Sequence, residues 1–194
     1  MQPLSFCECK LAGLKVIQPF VAPDHRGFLL KSFEHGIFEQ NGIILTPYEE
    51  LTSCSKKGVL RGLHFQRHYS QDKLVRVLHG KVFDVAVDLR RNSQTFGQWE
   101  GFYLSDENQK MLYIPKGFAH GFLALEENTV FSYLCGDRYD PQSDGGIVWN
   151  DSDLAVHWPV EQVEQLIISE KDKQLPTLTQ FQAEYGALDA KEDA

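Results

Sequence analysis

The sequence predicts a single all-β domain, a sandwich or barrel of short strands with a few short peripheral helices. Three observations favour this fold class. Apolar and polar residues alternate over short stretches, turn-forming residues separate those stretches at regular intervals, and helical patterns are scarce. Strands spaced this closely leave no room for the crossover helices of a parallel sheet.

The clearest strand pattern is VRVLHGKVFDVAVDLR, residues 75–90, which is interrupted by His79-Gly80. The interruption is typical of a hairpin turn between two strands. Further strands are predicted at GQWEGFYL, KMLYIP, GFLALE and TVFSYLC, which are separated by turn-rich pieces such as LSDENQ and EENT. The central part of the chain is therefore expected to be a series of strands.

Few segments are typical of helix, and one long segment is typical of neither helix nor strand. Short helices are predicted at residues 34–40 and in EQVEQLI. Residues 136–159 form a long irregular connection, and such connections in compact domains are often functional.

The length of the chain limits the number of domains. A chain of 194 residues is short for two domains, so we expect one domain over residues 1–194. Its core is expected at about residues 12–176, followed by a loose acidic tail at 183–194.

Charge and hydropathy exclude several classes of partner. The 19 basic and 27 acidic residues give a net charge of −8, which would repel a phosphate backbone. The sequence contains no apolar stretch of ~20 residues to span a bilayer, and its start lacks the pattern of a signal peptide. We therefore expect a cytoplasmic protein that binds neither nucleic acid nor membrane.

Two histidines lie in patterns typical of a cavity in an all-β domain. GVLRGLHFQ, residues 58–66, contains G-x5-H spacing that ends at His64, and PKGFAH contains P-x-G-x2-H spacing that ends at His120. These patterns are halves of the two motifs of the cupin fold.

The residues that would complete a metal site in a cupin are absent from the sequence. A metal-binding cupin has a second histidine two positions after the first and a glutamate a few positions further on, but here those positions hold Gln66 and Ser70 or Gln71. His64 and His120 alone would give two ligands, fewer than a metal ion usually requires. We therefore expect no metal and no cofactor, although a metal-dependent cupin isomerase or oxygenase stays open as an alternative.

Several further stretches resemble one family of cupins. GVLRGLHFQ, KLVRVLHGKVFDVAVDLR, SQTFGQW, YIPKGFAHGFLALEE, DGGIVWND and ISEKD occur in the order found in the dTDP-4-dehydrorhamnose 3,5-epimerase family, a branch that works without metal. The resemblance implies a cupin jelly-roll sandwich, a homodimer and an isomerase. Such an enzyme inverts C3, C5 or both in a nucleotide-linked 4-keto-6-deoxy sugar, for the synthesis of rhamnose-like sugars of polysaccharides such as O-antigen.

The resemblance also implies catalytic roles. His64 is the base that removes a hydrogen beside the ketone, and Asp172 holds its other ring nitrogen. Lys73, and with it Arg61, faces the oxygen of the developing enolate, and Tyr133 delivers a proton from the opposite face.

The same resemblance implies a set of residues that contact substrate. Asp84 and His120 match positions that line the cavity, and we expect a hydrogen bond between them. Asp144 falls where the family has an acidic residue that contacts substrate, and Lys171 is assigned to the same set.

The nucleotide end of the site departs from the family pattern. The usual R-G-x-F-x-E keeps Arg26 but has Leu29 and Lys31 in place of the phenylalanine and the glutamate, and the usual Q-x-N is replaced by Glu49 and Leu51. A carboxylate can accept from an exocyclic amine such as that of cytosine, whereas thymine presents carbonyl oxygens. The sequence therefore predicts a base other than thymine, CDP first and GDP second, with Lys31 near phosphate.

Each candidate also has a structural interpretation. His64 alone is typical of a hydrogen-bonded core histidine, Tyr133 of a strand aromatic, and Lys73 and Asp172 of surface charges. Their joint occurrence in one family pattern favours catalysis. A sugar-binding cupin without catalytic activity is the alternative from another class.

Overall fold

The computed structural model describes residues 4–189, and most of its ordered elements are strands. In chain order these elements are β1 (Ser5–Glu8), β2 (Lys15–Gln18), β3 (Phe20–Asp24), β4 (Gly27–Lys31), α1 (His35–Gln40), β5 (Glu49–Ser55), β6 (Val59–Gln66), β7 (Lys73–His79), β8 (Lys81–Asp88), β9 (Trp99–Ser105), β10 (Met111–Ile114), β11 (Phe118–Ala124), β12 (Thr129–Cys135), β13 (Asp144–Gly146), β14 (Ile167–Ile168), α2 (Glu170–Lys173) and α3 (Leu178–Tyr185).

Two large sheets pack face to face. The first sheet has the strand order β1-β2-β10-β7-β12-β5, and the second has the order β13-β6-β11-β8-β9 with β14 beside β6. A shared core lies between them, where Val75 and Phe131 of the first sheet meet Ala86 and Phe122 of the second. The predicted all-β sandwich with a few short helices is confirmed.

The second sheet is buried on both faces along its central strands β8 and β11. Its outer face packs in a second core with Trp158 of the long connection and with Phe181 of α3. Double burial explains why β8 is buried at every position except Lys81, and why its sequence is almost continuously apolar. This packing on both sides restricts the movement of β6 and so fixes the positions of its side chains.

The turn at His79-Gly80 is where the sequence places it, but it is not a hairpin. β7 belongs to the first sheet and β8 to the second, so the chain crosses between sheets at this point. Gly80 has a φ of +83°, and a Cβ atom there would lie 2.6 Å from Thr129 Oγ1. Alternation identified both strands, whereas the partner of each strand depends on residues distant in sequence.

The helix predictions are right in one segment and wrong in the other. α1 lies within the predicted residues 34–40. EQVEQLI is not helical beyond one 3-10 turn at Val160–Gln162, and its last residue begins β14 beside β6. The helices α2 and α3 were not predicted.

The end of the described chain differs from the expected loose tail. α3 continues to Tyr185, and Leu188 is buried and bridges to Arg90. Residues 183–189 are therefore anchored to the sandwich at Leu188, although most of them are exposed, and the rest of the predicted tail lies outside the described residues. Within 4–189, the structure contains no helix of the length and hydropathy needed to cross a membrane.

β3 and β4 form a two-stranded hairpin that belongs to neither large sheet. Phe28 and Leu29 in this hairpin are 61% and 69% exposed. The first sheet ends at β5, whose outer edge pairs with no other strand in the described part of the chain. An apolar hairpin and an open sheet edge are thus both available for contact with another chain.

Candidate active site

A cavity of about 590 Å³ opens between the two sheets. It is lined by many of the residues predicted from the sequence, namely Leu51, Arg61, His64, Lys73, Tyr133, Asp144 and Asp172. His64 and Arg61 come from β6 of the second sheet, and Lys73 and Tyr133 come from β7 and β12 of the first. The two sheets therefore supply opposite walls of the cavity.

Asp172 holds the His64 ring from outside the sheet. His64 Nε2 lies 2.9 Å from Asp172 Oδ1, and the Gly62 N–H donates to Asp172 Oδ2 at 3.2 Å. Ser169 caps α2, because its Oγ accepts a hydrogen bond from the Asp172 N–H at 3.0 Å. The short helix thus places a buried carboxylate against the imidazole, as the sequence predicts.

The charge state of Asp172 determines the tautomer of His64. Burial acts to raise the pKa of Asp172, but hydrogen bonding to His64, the charge of His64 and the Gly62 N–H together hold it below its usual value. An ionised carboxylate only accepts hydrogen bonds, so the His64 nitrogen that faces it carries the proton. Nδ1 is then the nitrogen with a lone pair, and the side chain is 33% exposed.

Tyr133 stands on the opposite wall, in the strand next to β5. Burial raises the pKa of its hydroxyl well above the usual value, while the neighbouring Ser53 side chain and the charge of Arg61 act to lower it. At neutral pH this hydroxyl keeps its proton and can donate it.

Lys73 and Arg61 bring two basic side chains to the cavity. Burial lowers the pKa of Lys73, and the charges of Cys135, Asp144 and other acidic groups oppose that shift. Arg61 Nε donates to Ser55 Oγ at 3.2 Å. Both side chains carry hydrogen-bond donors that can stabilise negative charge on a bound molecule.

His120 and Asp84 form the expected hydrogen bond, but neither lines the cavity. His120 Nε2 lies 2.8 Å from Asp84 Oδ1, and both side chains are almost fully buried. The His120 ring packs edge-on against Tyr133 at 6.1 Å between centroids. In this structure the pair supports the wall from behind, and its contact with substrate stays a prediction. Asp84 Oδ2 is buried and has no hydrogen-bond partner among the described residues.

A group of polar side chains forms the rim. Asp144 Oδ2 accepts hydrogen bonds from Tyr139 Oη at 3.2 Å and from Lys171 Nζ, so Lys171 reaches the site through Asp144. Tyr139 and Gln71 line the cavity but were not singled out from the sequence. Tyr139 lies in the irregular connection, residues 136–159, that is predicted to be functional. No other feature of the sequence pointed to this residue.

Three further predicted substrate-binding residues do not line this cavity. Arg26 pairs with Asp24 and Lys31 with Glu34, all within or next to the β3–β4 hairpin. Glu49 is half-buried, and its Oε1 accepts a hydrogen bond from Gln71 Nε2 at 2.9 Å. Their roles in binding stay predictions.

Residues 4–189 contain no cluster of side chains that could hold a metal ion. Across residues 4–189, no three His, Cys, Asp or Glu side chains come together as a metal site requires. His64 and His120 are cross-strand neighbours, but each ring is held by its own aspartate.

Comparison with known proteins identifies the family. Residues 8–180 match the family model described as dTDP-4-dehydrorhamnose 3,5-epimerase. The enzyme of that name from Escherichia coli is 50% identical over 174 residues, which is 89% of this chain and 93% of the relative. The one from Methanothermobacter thermautotrophicus is 49% identical over 173 residues, 89% of this chain and 94% of the relative.

A solved structure extends the similarity to the fold. The dTDP-6-deoxy-D-glucose-3,5-epimerase of Legionella pneumophila, in complex with dTDP-4-keto-L-rhamnose, superimposes with a TM-score of 0.91. It is 43% identical, and the match covers 98% of this chain and 100% of that one. On sequence and fold together, the chain belongs to the dTDP-4-dehydrorhamnose 3,5-epimerase family.

Proposed function

We propose that the cavity epimerises a nucleotide-linked 4-keto-6-deoxy sugar, with His64 and Tyr133 acting on opposite faces of the sugar ring. Family membership makes the chain an isomerase of nucleotide-linked sugars, and the proposal concerns the residues that carry out the reaction. The observation that carries it is the placement of a carboxylate-bound imidazole and a protonated phenol on opposite walls.

The proposed reaction begins with removal of a proton beside the ketone. His64 Nδ1 takes that proton, and Asp172 stabilises the imidazolium that results. Lys73, with Arg61, stabilises the enolate oxygen electrostatically. Tyr133 then donates its proton to the same carbon from the other face, which inverts the centre and leaves a phenolate.

The test is incubation with a panel of nucleotide-linked 4-keto-6-deoxy sugars in D2O, followed by NMR. We expect deuterium at C3, at C5 or at both, together with inversion at each labelled centre. A purified, folded protein that binds these sugars without exchange at either carbon would instead support the sugar-binding alternative.

The identity of the nucleotide is a separate proposal. Leu51 lies in the cavity wall and can neither donate nor accept a hydrogen bond, and Glu49 close by can only accept. We therefore propose a base other than thymine, with CDP the first candidate and GDP the second. If a bound thymine buried the Glu49 carboxylate against one of its carbonyl oxygens, the unpaired contact would cost about 1 to 3 kcal/mol.

Calorimetric titration of dTDP, UDP, CDP and GDP tests this proposal. We expect CDP to bind most tightly, and we expect the double variant Glu49→Gln, Leu51→Asn to shift preference toward dTDP. The variant Leu29→Phe restores the phenylalanine of the family pattern in the β3–β4 hairpin and tests that second departure from the pattern. If dTDP binds wild type tightest by about tenfold or more, dTDP becomes the assigned nucleotide.

Independence from metal is also expected. Gln66 and Ser70 occupy the positions of two metal ligands in metal-binding cupins and are poor ligands for a transition metal. Activity should survive extended dialysis against EDTA. Loss of activity that returns on addition of one divalent metal would establish a metal-dependent isomerase.

We propose that the protein is a homodimer in which each hairpin reaches the partner's cavity. The hairpin exposes Phe28 and Leu29, and Arg26 does not line the cavity of its own chain. Leu51 of the open-edged strand β5 is 48% exposed beside the cavity. A second copy of the hairpin at that edge would cover these apolar groups and bring Arg26 near the nucleotide end.

Mixing two inactive variants tests the exchanged arrangement. Arg26→Ala and His64→Ala should each lose activity as homodimers. After co-refolding in equal amounts, about half of the dimers are mixed and one of their two sites is intact, so about a quarter of wild-type activity should return. Dimers that form but regain no activity would show that Arg26 serves its own chain.

A further inference from the structure

Gln66, at the end of β6, has all of its amide hydrogens bonded to backbone. Its side chain is buried, and Nε2 donates to the carbonyl oxygens of Tyr69 at 2.8 Å and Arg138 at 3.0 Å. Oε1 accepts from the Asp140 N–H at 2.7 Å. The side chain therefore ties β6 to two loops at the mouth of the cavity.

The hydrogen bonds to Arg138 and Asp140 lie on either side of Tyr139. Arg138 and Asp140 are the chain neighbours of Tyr139, so the amide of Gln66 holds the backbone immediately before and after it. The Arg138 guanidinium also lies 3.9 Å above the Tyr69 ring, which connects the two loops a second time. The backbone of Tyr139 is thus fixed from both directions.

The hydroxyl of Tyr139 is held by a hydrogen bond, whereas a face of its ring is exposed. Its hydroxyl donates to Asp144 Oδ2 at 3.2 Å, whereas the residue remains 53% exposed and lines the cavity. An aromatic ring held at both ends, with a face open to a cavity, binds a ligand at little cost in conformational entropy.

We propose that Gln66 is a positioning residue that presents the Tyr139 ring to the part of the nucleotide-linked sugar outside the reacting ring. The proposal rests on the function proposed above and adds a residue that acts on substrate binding. Gln66 takes no part in the proton transfers, because its donors and its acceptor are engaged by backbone groups of the loops.

A double-mutant cycle tests the proposal. Gln66→Met keeps the length of the side chain but removes all three bonds, and Tyr139→Ala removes the ring. Each variant should raise KM by about 10-fold with kcat within about threefold of wild type, since uniform binding is lost. The double variant should be no worse than the poorer single variant, because both remove the same contact.

Thr129→Val is the matched control for a general loss of stability. Thr129 is fully buried, and its Oγ1 donates to the Glu126 carbonyl at 2.9 Å, at the end of β12 away from the loops. This variant should lower the melting temperature and leave KM unchanged. An equal rise of KM in Thr129→Val would reduce the role of Gln66 to stability.

Two measurements keep this proposal separate from the proposed reaction. Calorimetric titration with dTDP, UDP, CDP and GDP should show about 10-fold weaker binding of the preferred nucleotide to Gln66→Met, whether or not any sugar is turned over. Hydrogen exchange at the Asp140 amide should be faster in Gln66→Met than in wild type and unchanged in Thr129→Val, without any ligand.

Three results would overturn the role of Gln66. They are a KM unchanged in Gln66→Met, effects that multiply in the double variant, and an Asp140 amide as protected in Gln66→Met as in wild type. If wild type exchanges no proton with any 4-keto sugar while Gln66→Met still weakens nucleotide binding, the proposed reaction fails and the positioning role stands.

Discussion

His64→Ala is expected to stop proton exchange at every carbon that wild type labels in D2O. Loss of a general base typically costs about 10²- to 10⁴-fold in rate. Asp172, which holds the ring at 2.9 Å, cannot replace it, because the Gly62 N–H holds its carboxylate and Ser169 holds its backbone N–H behind the imidazole. The measurement is the rate of deuterium uptake by NMR, with circular dichroism to show that the variant is folded.

Tyr133→Phe is the matched variant on the opposite wall, and it should fail differently. It removes only the hydroxyl, so His64 can still take a proton and return it to the same face. Deuterium should therefore enter the substrate with little inversion. Equal loss of exchange and of inversion in Tyr133→Phe would contradict the assignment of the two residues to opposite faces.

Asp172→Asn is expected to have the second largest effect. The amide keeps the shape of the carboxylate and can still hold the ring, but it cannot stabilise an imidazolium and it favours the wrong tautomer. We expect kcat to fall by about 10²- to 10⁴-fold, as for loss of the base itself, while the melting temperature stays close to that of wild type.

The control for Asp172→Asn is Lys173→Gln on the same short helix. Lys173 is half exposed and pairs with Glu170, away from the His64 ring. Its replacement should leave kcat unchanged. Near-normal turnover in a folded Asp172→Asn protein would show that another group orients His64.

Local pattern predicted the strands because alternation and turn residues are properties of neighbouring positions. It did not predict which strands pair, since β7 and β8 follow one another yet belong to different sheets. EQVEQLI has the composition of a helix, but its last residue pairs with β6 beside the cavity, and that tertiary contact outweighs local propensity.

For the candidate site too, local motifs identified single residues but not the contacts between them. His64 and Asp172 are 108 positions apart, and only a family pattern could join them before the structure placed them at 2.9 Å. Tyr139 was missed because it belongs to no spacing motif, and Gln71 was considered only as a residue in place of a metal ligand. The positioning role proposed for Gln66 could not be predicted from the sequence for a different reason. Its hydrogen-bond partners are backbone groups, which carry no sequence signal.

The opposite placement of His64 and Tyr133 has a consequence for the proton inventory of each turnover. If both act as proposed, one inversion leaves an imidazolium on one wall and a phenolate on the other, a protonation state suited only to the reverse direction. The proton on Tyr133 exchanges with solvent between turnovers, so each inverted centre should carry a solvent hydrogen. An enzyme that inverts two centres must therefore reset this acid–base pair between them, through the same cavity that holds the sugar.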